Sequence, residues 1–491
     1  MLKLDHFLMR ILYLCLGLVS LLLLCAGCGS NNGGVPGFIP KGNFSNASLN
    51  GQYVYQIEGF NFSNPNNVVP YRESGVFTAN GNKVITSATD DFSQGTGVFN
   101  TVSTGSYSIN SDGTGSVSFS NALLGPITLE VTMVSASKVY LVEADSAVNA
   151  GGIAEKQDLT AITSTPAGTF VFREHDVNLN TAQSSASVGA FMVTGGVASN
   201  GNRDVNLGGT LSSLTFNGTF NTPDPATGRG NGSFTDSALV TSSFHYYIVD
   251  ANNIRLLAGD TNIVGQGRAE LQSGTATLSG SYAFGSKGDT GALGGVNMAG
   301  RFTASGGTIT AGARDLVQDG GPATNVSFTG TYTQTPNGRA VLNLTTAANS
   351  SYVVWMVSPS RGLFLVNDPN TVQDGSLDLQ LVSSFSNSTM NGQFGFIMDG
   401  FDVQSTPKDR VGTLQWDGGG KLTLNEFTNT DGVPSTATLS GNYAVSANGR
   451  TGASISNLSS NLIFYLISGN DAYVVQTDSN VELNGTISKQ Q

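Results

Sequence analysis

The segment Gly51-Gln52-Tyr53-Val54-Tyr55 decides the fold of this chain, because its pattern of a glycine followed by two alternating aromatic residues occurs four times. Side chains alternate between the two faces of an extended strand, so the two aromatic residues share one face. The other copies follow at near-equal intervals: Gly168-Thr169-Phe170-Val171-Phe172, Gly280-Ser281-Tyr282-Ala283-Phe284 and Gly392-Gln393-Phe394-Gly395-Phe396. The repeat predicts four copies of one β unit that begin with the same strand.

Four further residues, two glycines, an aspartate and a glutamine, follow the motif in the same order in every copy. A second strand starts at a glycine, at Gly75, Gly189, Gly300 and Gly412. A strand in the middle of the unit also starts at a glycine, at Gly105, Gly218, Gly330 and Gly441. An apolar hairpin then closes on an aspartate, at Asp145, Asp260, Asp368 and Asp478. Each unit finishes close to a glutamine, at Gln157, Gln272, Gln380 and Gln490.

The fold class follows from alternation and turn chemistry. Pairs such as Asp112-Gly113 and Asn337-Gly338 separate short alternating segments and favour the turns of antiparallel hairpins. Each unit has room for about eight short strands, which can close into a small barrel. We therefore predict an all-β chain of four tandem antiparallel units, each an up-and-down barrel or barrel-like sandwich; the alternative is an eight-bladed β-propeller. The predicted units are residues 46–157, 166–272, 278–380 and 389–491.

The predicted sixth strands are apolar on both faces. They read Phe244-His245-Tyr246-Tyr247-Ile248, Val353-Val354-Trp355-Met356-Val357 and Leu462-Ile463-Phe464-Tyr465-Leu466-Ile467. A strand that is buried on one face alternates, whereas a continuous apolar run indicates cover on both faces. Either neighbouring units pack together or the sheets stack.

The N-terminal segment carries an export pattern. Lys3 and Arg10 precede the apolar run Ile11–Leu24, which is shorter than a comfortable membrane span, and small residues lead to Cys28. This order resembles a bacterial lipoprotein signal peptide and implies residues 1–27 as the signal, a lipid on Cys28, and residues 28–45 as a flexible tether. Gly29 after the cysteine implies the outer membrane of the cell envelope. The alternatives are an uncleaved signal anchor and a soluble secreted protein.

Composition narrows the function classes. The three cysteines are Cys15, Cys25 and Cys28, so the predicted mature chain has no disulfide and no thiolate metal site. With 22 Lys and Arg against 34 Asp and Glu, the formal net charge is −12, which argues against nucleic acid as a partner. The whole chain also resembles repeat-bearing lipoproteins of environmental Gram-negative bacteria, which implies an all-β fold but no mechanism.

Few residues suggest chemistry. Glu174 and Asp176 are two positions apart in an extended segment, so they could share a face as an acidic pair, but a solvated strand end is the favoured interpretation. Trp416 precedes an Asp-Gly turn, and packing in the core or turn is its favoured interpretation; the alternative is a ligand contact at the surface. His175 and His245 lack the spacing of a zinc site, and no cofactor motif is present. The repeated aspartates are interpreted as turn-fixing residues, with calcium binding as the alternative.

These observations predict a lipid-anchored protein of the cell envelope with a binding or structural role. Its expected partners are the membrane, through Cys28, and a protein, glycan or small ligand. One alternative is a carrier that holds a small apolar ligand inside each barrel, lined by the repeated aromatic residues. The other is a carbohydrate-active enzyme with a site in the second unit. We expect no enzymatic activity.

Overall fold

The glycine of the repeated motif is the first or second residue of the first strand in each unit. Its φ is +116° at Gly51, +120° at Gly168, +124° at Gly280 and +107° at Gly392, a region that residues with a side chain rarely adopt. The two aromatic residues that follow point into a closed barrel, and the residue between them points outward. The repeated glycine is therefore a backbone requirement of the strand entrance.

The computed structural model describes residues 42–63, 68–121, 125–274, 276–290, 295–345, 350–402, 406–456 and 460–491. The predicted signal peptide and Cys28 lie outside the described residues, so lipidation stays a prediction. Lys41–Gln491 forms one compact unit. Two short 3-10 helices, Asn46–Ser48 and Asn387–Thr389, precede the first strands of the first and last barrels.

The strands fall into four sets of eight. Barrel 1 contains β1 (Asn50–Asn61), β2 (Val69–Asn80), β3 (Val84–Ser93), β4 (Val98–Ile109), β5 (Thr114–Asn121), β6 (Gly125–Ser135), β7 (Lys138–Glu143) and β8 (Val148–Lys156). Barrel 2 contains β9 (Gly168–Asn178), β10 (Gln183–Thr194), β11 (Val197–Leu207), β12 (Thr210–Phe220), β13 (Arg229–Asp236), β14 (Thr241–Asp250), β15 (Asn253–Ala258) and β16 (Ile263–Leu271). Barrel 3 contains β17 (Gly280–Thr290), β18 (Gly295–Ser305), β19 (Thr308–Gln318), β20 (Thr324–Gln334), β21 (Arg339–Thr345), β22 (Ser350–Ser358), β23 (Arg361–Asp368) and β24 (Thr371–Leu379). Barrel 4 contains β25 (Asn391–Asp402), β26 (Thr406–Asp417), β27 (Lys421–Thr430), β28 (Val433–Val445), β29 (Arg450–Ile455), β30 (Ser460–Leu466), β31 (Asp471–Gln476) and β32 (Glu482–Lys489).

Each set of eight strands closes on itself. Neighbours in sequence pair antiparallel, and the first strand also pairs with the last, as β1 does with β8 and β25 with β32. The prediction of four tandem eight-stranded all-β units is confirmed. The eight-bladed propeller is wrong, because the mid-unit strands continue the same sheet instead of starting a new blade.

Aromatic side chains fill the barrel interiors. In barrel 1 the rings of Tyr53 and Phe77 stack with centroids 5.4 Å apart, and the ring of Phe119 lies 6.2 Å from that of Tyr55. The second repeated glycine makes room for the second aromatic residue, since a Cβ on Gly75 would lie 2.6 Å from the ring of Tyr55. The second aromatic residue of the motif and the second repeated glycine thus meet in one packing contact.

Neighbouring barrels pack side by side in a closed ring. The second strand of each barrel lies against the sixth to eighth strands of the next: β2 contacts β14–β16, β10 contacts β22–β24 and β18 contacts β30–β32. The last barrel returns to the first, because β26 contacts β6–β8 in the same way. The outward residues of the sixth strands are buried there, as Trp355 is between barrels 2 and 3. Packing between units therefore explains the strands that are apolar on both faces.

Three of the four interfaces share one polar lock. At the interface between barrels 3 and 4, the Asp315 carboxylate accepts hydrogen bonds from Arg450 Nε and Nη2, each at 2.8 Å, and from the Tyr465 hydroxyl at 2.6 Å. Two more interfaces repeat the lock with the triads Asp91–Arg229–Tyr247 and Asp204–Arg339–Trp355. At the interface of barrels 4 and 1 the same positions hold Phe427, Thr114 and Thr132, and they border a cavity of about 670 Å³.

The repeated glutamine joins each barrel to the next. Gln380 Nε2 donates to the carbonyl oxygens of Leu466 at 2.7 Å and Asn448 at 3.2 Å in barrel 4. Gln490, after the last barrel, makes the equivalent bonds to Met133 at 2.7 Å and Asp112 at 2.9 Å in barrel 1. The same contact therefore closes the ring, although no peptide link connects barrel 4 to barrel 1.

Candidate functional site: an axial cavity

The first strands of the four barrels line a common cavity at the centre of the ring. Outward residues alternate with the inward aromatic residues, so the position seven residues after each opening glycine faces the axis. This position holds a different ionisable residue in each barrel: Glu58, His175, Lys287 and Asp399. The pseudo-symmetry of the ring thus brings four chemically distinct side chains from distant parts of the chain to one place.

Lys287 is the centre of the charge network on one side of the cavity. Its Nζ lies 2.5 Å from Asp399 Oδ2 and also forms an ion pair with Glu58. Arg72 adds a second cation to Glu58, with Nε 3.3 Å from Oε2. Burial opposes the charge of Glu58, but Lys287 and Arg72 hold its pKa well below the usual range. Burial likewise disfavours the Lys287 ammonium, and the two carboxylates raise its pKa.

His175 is the centre of the opposite side. Its Nε2 lies 3.0 Å from Asp289 Oδ2, and its Nδ1 lies 2.9 Å from Asp374 Oδ1. Burial lowers the pKa of His175, but hydrogen bonds to these two carboxylates outweigh burial and raise it to about 10. Both ring nitrogens therefore carry protons at neutral pH. Arg173 forms a further ion pair with Asp374.

Asp409 differs from the other charged groups of the cavity. It is 4% exposed and lines the cavity, yet within the described residues its carboxyl group has no hydrogen-bond partner. Burial, and then the neighbouring Asp399, raise its pKa well above the usual range. Three more atoms of lining residues that can accept a hydrogen bond are buried without a partner: Asn149 Oδ1, Gln266 Oε1 and Thr371 Oγ1. Three donors are buried without a hydrogen bond as well, the Nε atoms of Arg72, Arg173 and Arg268. The cavity therefore has both acceptors and donors that the described protein leaves unused.

The cavity has the size of a small-molecule site. Its volume is about 620 Å³, within the range of roughly 300–1,000 Å³ that is common for ligand pockets. Exposed residues such as Val68, at 48%, belong to the lining, so one end opens to solvent. The rings of Phe60 and Phe401 pack with centroids 5.3 Å apart in the same wall. The site thus combines buried charge with an aromatic surface.

The acidic pair of the second unit lies at the edge of this region. Glu174 and Asp176 follow the inward Phe172 at alternating positions, so they share the inner face of barrel 2, and Glu174 also borders the axial cavity. Burial raises the pKa of Glu174 to about 8 and that of Asp176 to about 6. The pair is therefore no solvated strand end, and its part in ligand binding stays a prediction.

Trp416 lies in the core of barrel 4. Its side chain is 0% exposed and packs against Phe394, Tyr443 and Phe464, with ring centroids 4.6 to 6.5 Å away. Core packing, the favoured interpretation of Trp416 from the sequence, is therefore correct, and a ligand contact at the surface is wrong. The residue precedes a turn, but its side chain points inward because it falls on the inner face of β26.

The sequence analysis missed most residues of the axial cavity. It singled out Glu174 and considered His175 only as a metal ligand, whereas Lys287, Asp399 and Asp409 were not identified. A signal was present, because the position seven residues after each opening glycine carries an ionisable residue in a chain with only 11% charged residues. Comparing the four repeats position by position would have revealed it.

The described residues contain neither a metal-binding cluster nor a membrane-spanning helix. No group of three or more His, Cys, Asp or Glu side chains there is arranged to hold a metal ion. The same residues include no helix with the length and apolar character required to cross a membrane.

Comparisons with known proteins give only distant structural likenesses. No family model and no curated protein matches the chain. Intact transferrin binding protein B with its N and C lobes (Ap-TbpB) is 10% identical with a TM-score of 0.18, and the alignment covers 74% of this chain and 86% of that chain. A double mutant of TbpB from Haemophilus parasuis Hp5 has 13% identity, a TM-score of 0.17 and the same coverages. The isotype 1 TbpB from serogroup B Neisseria meningitidis has 9% identity, a TM-score of 0.21 and coverages of 72% and 83%. At TM-scores this low, the likenesses carry no argument about this chain.

Proposed function

We propose that this protein is a lipid-anchored binding protein of the cell envelope and that its ligand is a small molecule held in the axial cavity. One observation carries the proposal. The cavity is lined by ionisable side chains from all four barrels, and the buried Asp409 carboxyl group has no partner among the described residues. Buried polar groups are normally hydrogen-bonded, so an unused acceptor in a cavity of this size supports a bound ligand.

The packing inside the barrels favours the axis over the barrel interiors. In barrel 2 the ring of Phe234 lies 4.8 Å from that of Phe216 and 4.6 Å from that of Phe244, so aromatic residues occupy the space that a ligand would need. In barrel 4 the inner wall holds Arg410, whose Nε donates to Glu426 at 2.9 Å. These contacts weigh against the predicted carrier of an apolar ligand inside each barrel.

A small set of probes tests axial binding. Isothermal titration of the full-length chain would use 2-phenylethylammonium, 2-phenylethanol and 3-phenylpropionate, which share a phenyl group and differ in charge. Val177→Trp would fill part of the cavity, because Val177 belongs to its lining. Val102→Trp makes the same change on the outside of barrel 1, where Val102 is 71% exposed.

The proposal requires at least one probe to bind the wild type and Val102→Trp while losing affinity for Val177→Trp. Equal binding by all three proteins would place the probe elsewhere, for example on outer loops that a protein or glycan partner would also use. If Val177→Trp lowers the affinity of none of the three probes, the axial site is contradicted.

The membrane anchor is tested separately. Cys28→Ala is expected to remove the lipid mass from the mature protein and to release it from the membrane fraction, since the proposed lipid is attached to the Cys28 sulfur. Cys15→Ala is the matched control, because it changes a cysteine within the predicted signal. Outer-membrane location, proposed from Gly29, is measured by separating inner and outer membranes on a density gradient. An unchanged membrane fraction for Cys28→Ala would contradict the anchor without affecting the cavity.

A further inference from the structure

We propose that the ligand of the axial cavity is an organic cation, whose ammonium or guanidinium group pairs with Asp409 and whose apolar body packs against Phe60 and Phe401. This inference rests on the proposed binding function and names the chemical class of the ligand. It follows from the charges of the cavity, from the surroundings of Asp409 and from the composition of the wall.

The cations of the cavity are already paired. Arg72 pairs with Glu58, Arg173 and His175 pair with Asp374, and Lys287 pairs with Glu58 and Asp399. Arg268, which also lines the cavity, lies 2.8 Å from Glu270. An anionic ligand would meet three guanidinium Nε atoms without a hydrogen bond, on Arg72, Arg173 and Arg268, but it would compete with a carboxylate that each of these side chains already pairs with. A cationic ligand instead meets a carboxyl group that has no partner among the described residues.

The position of Asp409 within the repeat makes this contrast clear. The equivalent positions in the other barrels hold Arg72, Ala186 and Asn297. Arg72 is paired with Glu58, and Asn297 Nδ2 donates to the Glu482 carbonyl oxygen at 2.6 Å. Ala186 needs no partner. Among these four positions, Asp409 is therefore the polar residue whose partner the described protein does not supply.

A glycine of barrel 1 packs beside Asp409. A Cβ on Gly151 would lie 3.1 Å from Asp409 Oδ1, closer than most side chains approach an oxygen. The glycine backbone therefore approaches the carboxyl group closely and brings no side-chain partner to it. Burial and the neighbouring Asp399 outweigh the charge of Lys287 and favour the protonated form of Asp409, so the carboxyl group is expected to ionise when a cation binds beside it.

The wall of the cavity supplies the apolar contact. Phe60 and Phe401 occupy the position nine residues after the opening glycine in barrels 1 and 4, and Asp409 also lies in barrel 4. Aromatic faces attract cations and bind apolar groups, so rings and a carboxylate in one cavity suit an amphipathic cation. A bare divalent metal ion fits less well, because it requires several oxygen ligands around one point.

The titration uses the full-length chain and the same three probes. We expect 2-phenylethylammonium to bind more tightly than 2-phenylethanol or 3-phenylpropionate. Asp409→Asn, which keeps the shape and removes the charge, should weaken its binding about tenfold or more, as expected for a charge-assisted hydrogen bond. Asp224→Asn is the matched control, because Asp224 is an exposed aspartate of barrel 2 outside the cavity lining.

Proton release provides a second readout. Asp409 faces Asp399 on β25, Lys287 on β17, Glu58 on β1 and, across the interface, Glu143 on β7. Because a cation favours the ionised carboxylate, its binding should release a proton, and its affinity should rise with pH while Lys287 stays charged. Titrations in buffers of different ionisation enthalpy measure this proton, which Asp409→Asn should abolish.

The possible failures are distinguishable. Equal affinity of 2-phenylethylammonium for wild type and Asp409→Asn would overturn the role of Asp409. Tighter binding of the neutral or anionic probe, with dependence on Val177, would overturn the cation class and leave the axial binding function standing. Absence of any Val177-dependent binding would contradict both.

Discussion

Removal of the Asp315 carboxylate should loosen the contact between barrels 3 and 4 by a measurable amount. Asp315 is 2% exposed and accepts two hydrogen bonds from Arg450 and one from the Tyr465 hydroxyl. In Asp315→Ala the Tyr465 hydroxyl stays buried without an acceptor, which costs about 1–3 kcal/mol. Arg450 loses a bidentate partner, but its side chain is 32% exposed and water replaces part of the contact, so we assign about 1 kcal/mol to it.

The expected total is a loss of about 3 kcal/mol in the free energy of unfolding. Urea denaturation measures it, and hydrogen exchange of the β19 and β30 amides places the loss at the interface. In a double-mutant cycle, Asp315→Ala and Arg450→Ala should be non-additive, because the second change removes a group that the first has already left without its partner.

The fourth interface supplies an internal control. There the chain uses Phe427, Thr114 and Thr132 instead of the polar lock, and Phe427 packs against the apolar cluster of barrels 1 and 4. The triple change Asp315→Phe, Arg450→Thr and Tyr465→Thr copies this solution and should recover part of the loss. A cost below about 0.5 kcal/mol for Asp315→Ala, the size of an ordinary surface change, would refute the reasoning.

Three further changes test other parts of the ring. Gln490→Ala should speed hydrogen exchange between barrels 1 and 4 more than Gln157→Ala does between barrels 1 and 2, because a peptide link supports only the second contact. His175→Gln should flatten the pH dependence of stability in urea titrations: the charged imidazole stabilises fully below pH 6.5, and this contribution is lost as pH rises towards about 10. Gly265→Ala should lower the thermal midpoint, because a Cβ there would lie 1.6 Å from Asp176 Oδ1, and adding Asp176→Gly should restore it.

The fold could be predicted from the sequence because its signals are local. Alternation places the aromatic residues inside, and a positive φ at Gly51 requires a glycine wherever the strand entrance recurs. The turn-fixing role assigned to the repeated aspartates is local at two of the four positions. Asp145 Oδ1 accepts hydrogen bonds at 2.7 Å from the backbone amides of Ala147 and Val148, and Asp368 Oδ1 accepts one at 2.9 Å from that of Asn370. Asp260 and Asp478 instead accept hydrogen bonds from the backbone amides of Ser243 and Asn461, 17 residues earlier on the sixth strands, so the order of residues does not reveal these two contacts.

The axial cavity could not be predicted in the same way, because its residues meet only when the ring closes. Glu58 and Lys287 are far apart in sequence and form an ion pair across the axis. Their shared position in the repeat shows that the two residues are equivalent, but only closure of the ring brings equivalent positions together. The burial of Trp416 depended on register, which a residue next to a turn does not reveal. Closure of the ring itself rests on Gln490, whose partners lie at the far end of the chain.

The four barrels carry different side chains where they face the axis. Inside the barrels the repeats retain the same aromatic pair, because each barrel must fill the same interior. On the axis the equivalent positions hold glutamate, histidine, lysine and aspartate, which no shared packing requirement explains. Four independent binding modules would each need the same contact residues, whereas one composite site needs four different contributions. The ring therefore predicts one ligand per chain, and titration with 2-phenylethylammonium measures that stoichiometry directly. A stoichiometry of four ligands per chain would instead indicate a separate binding site in each barrel.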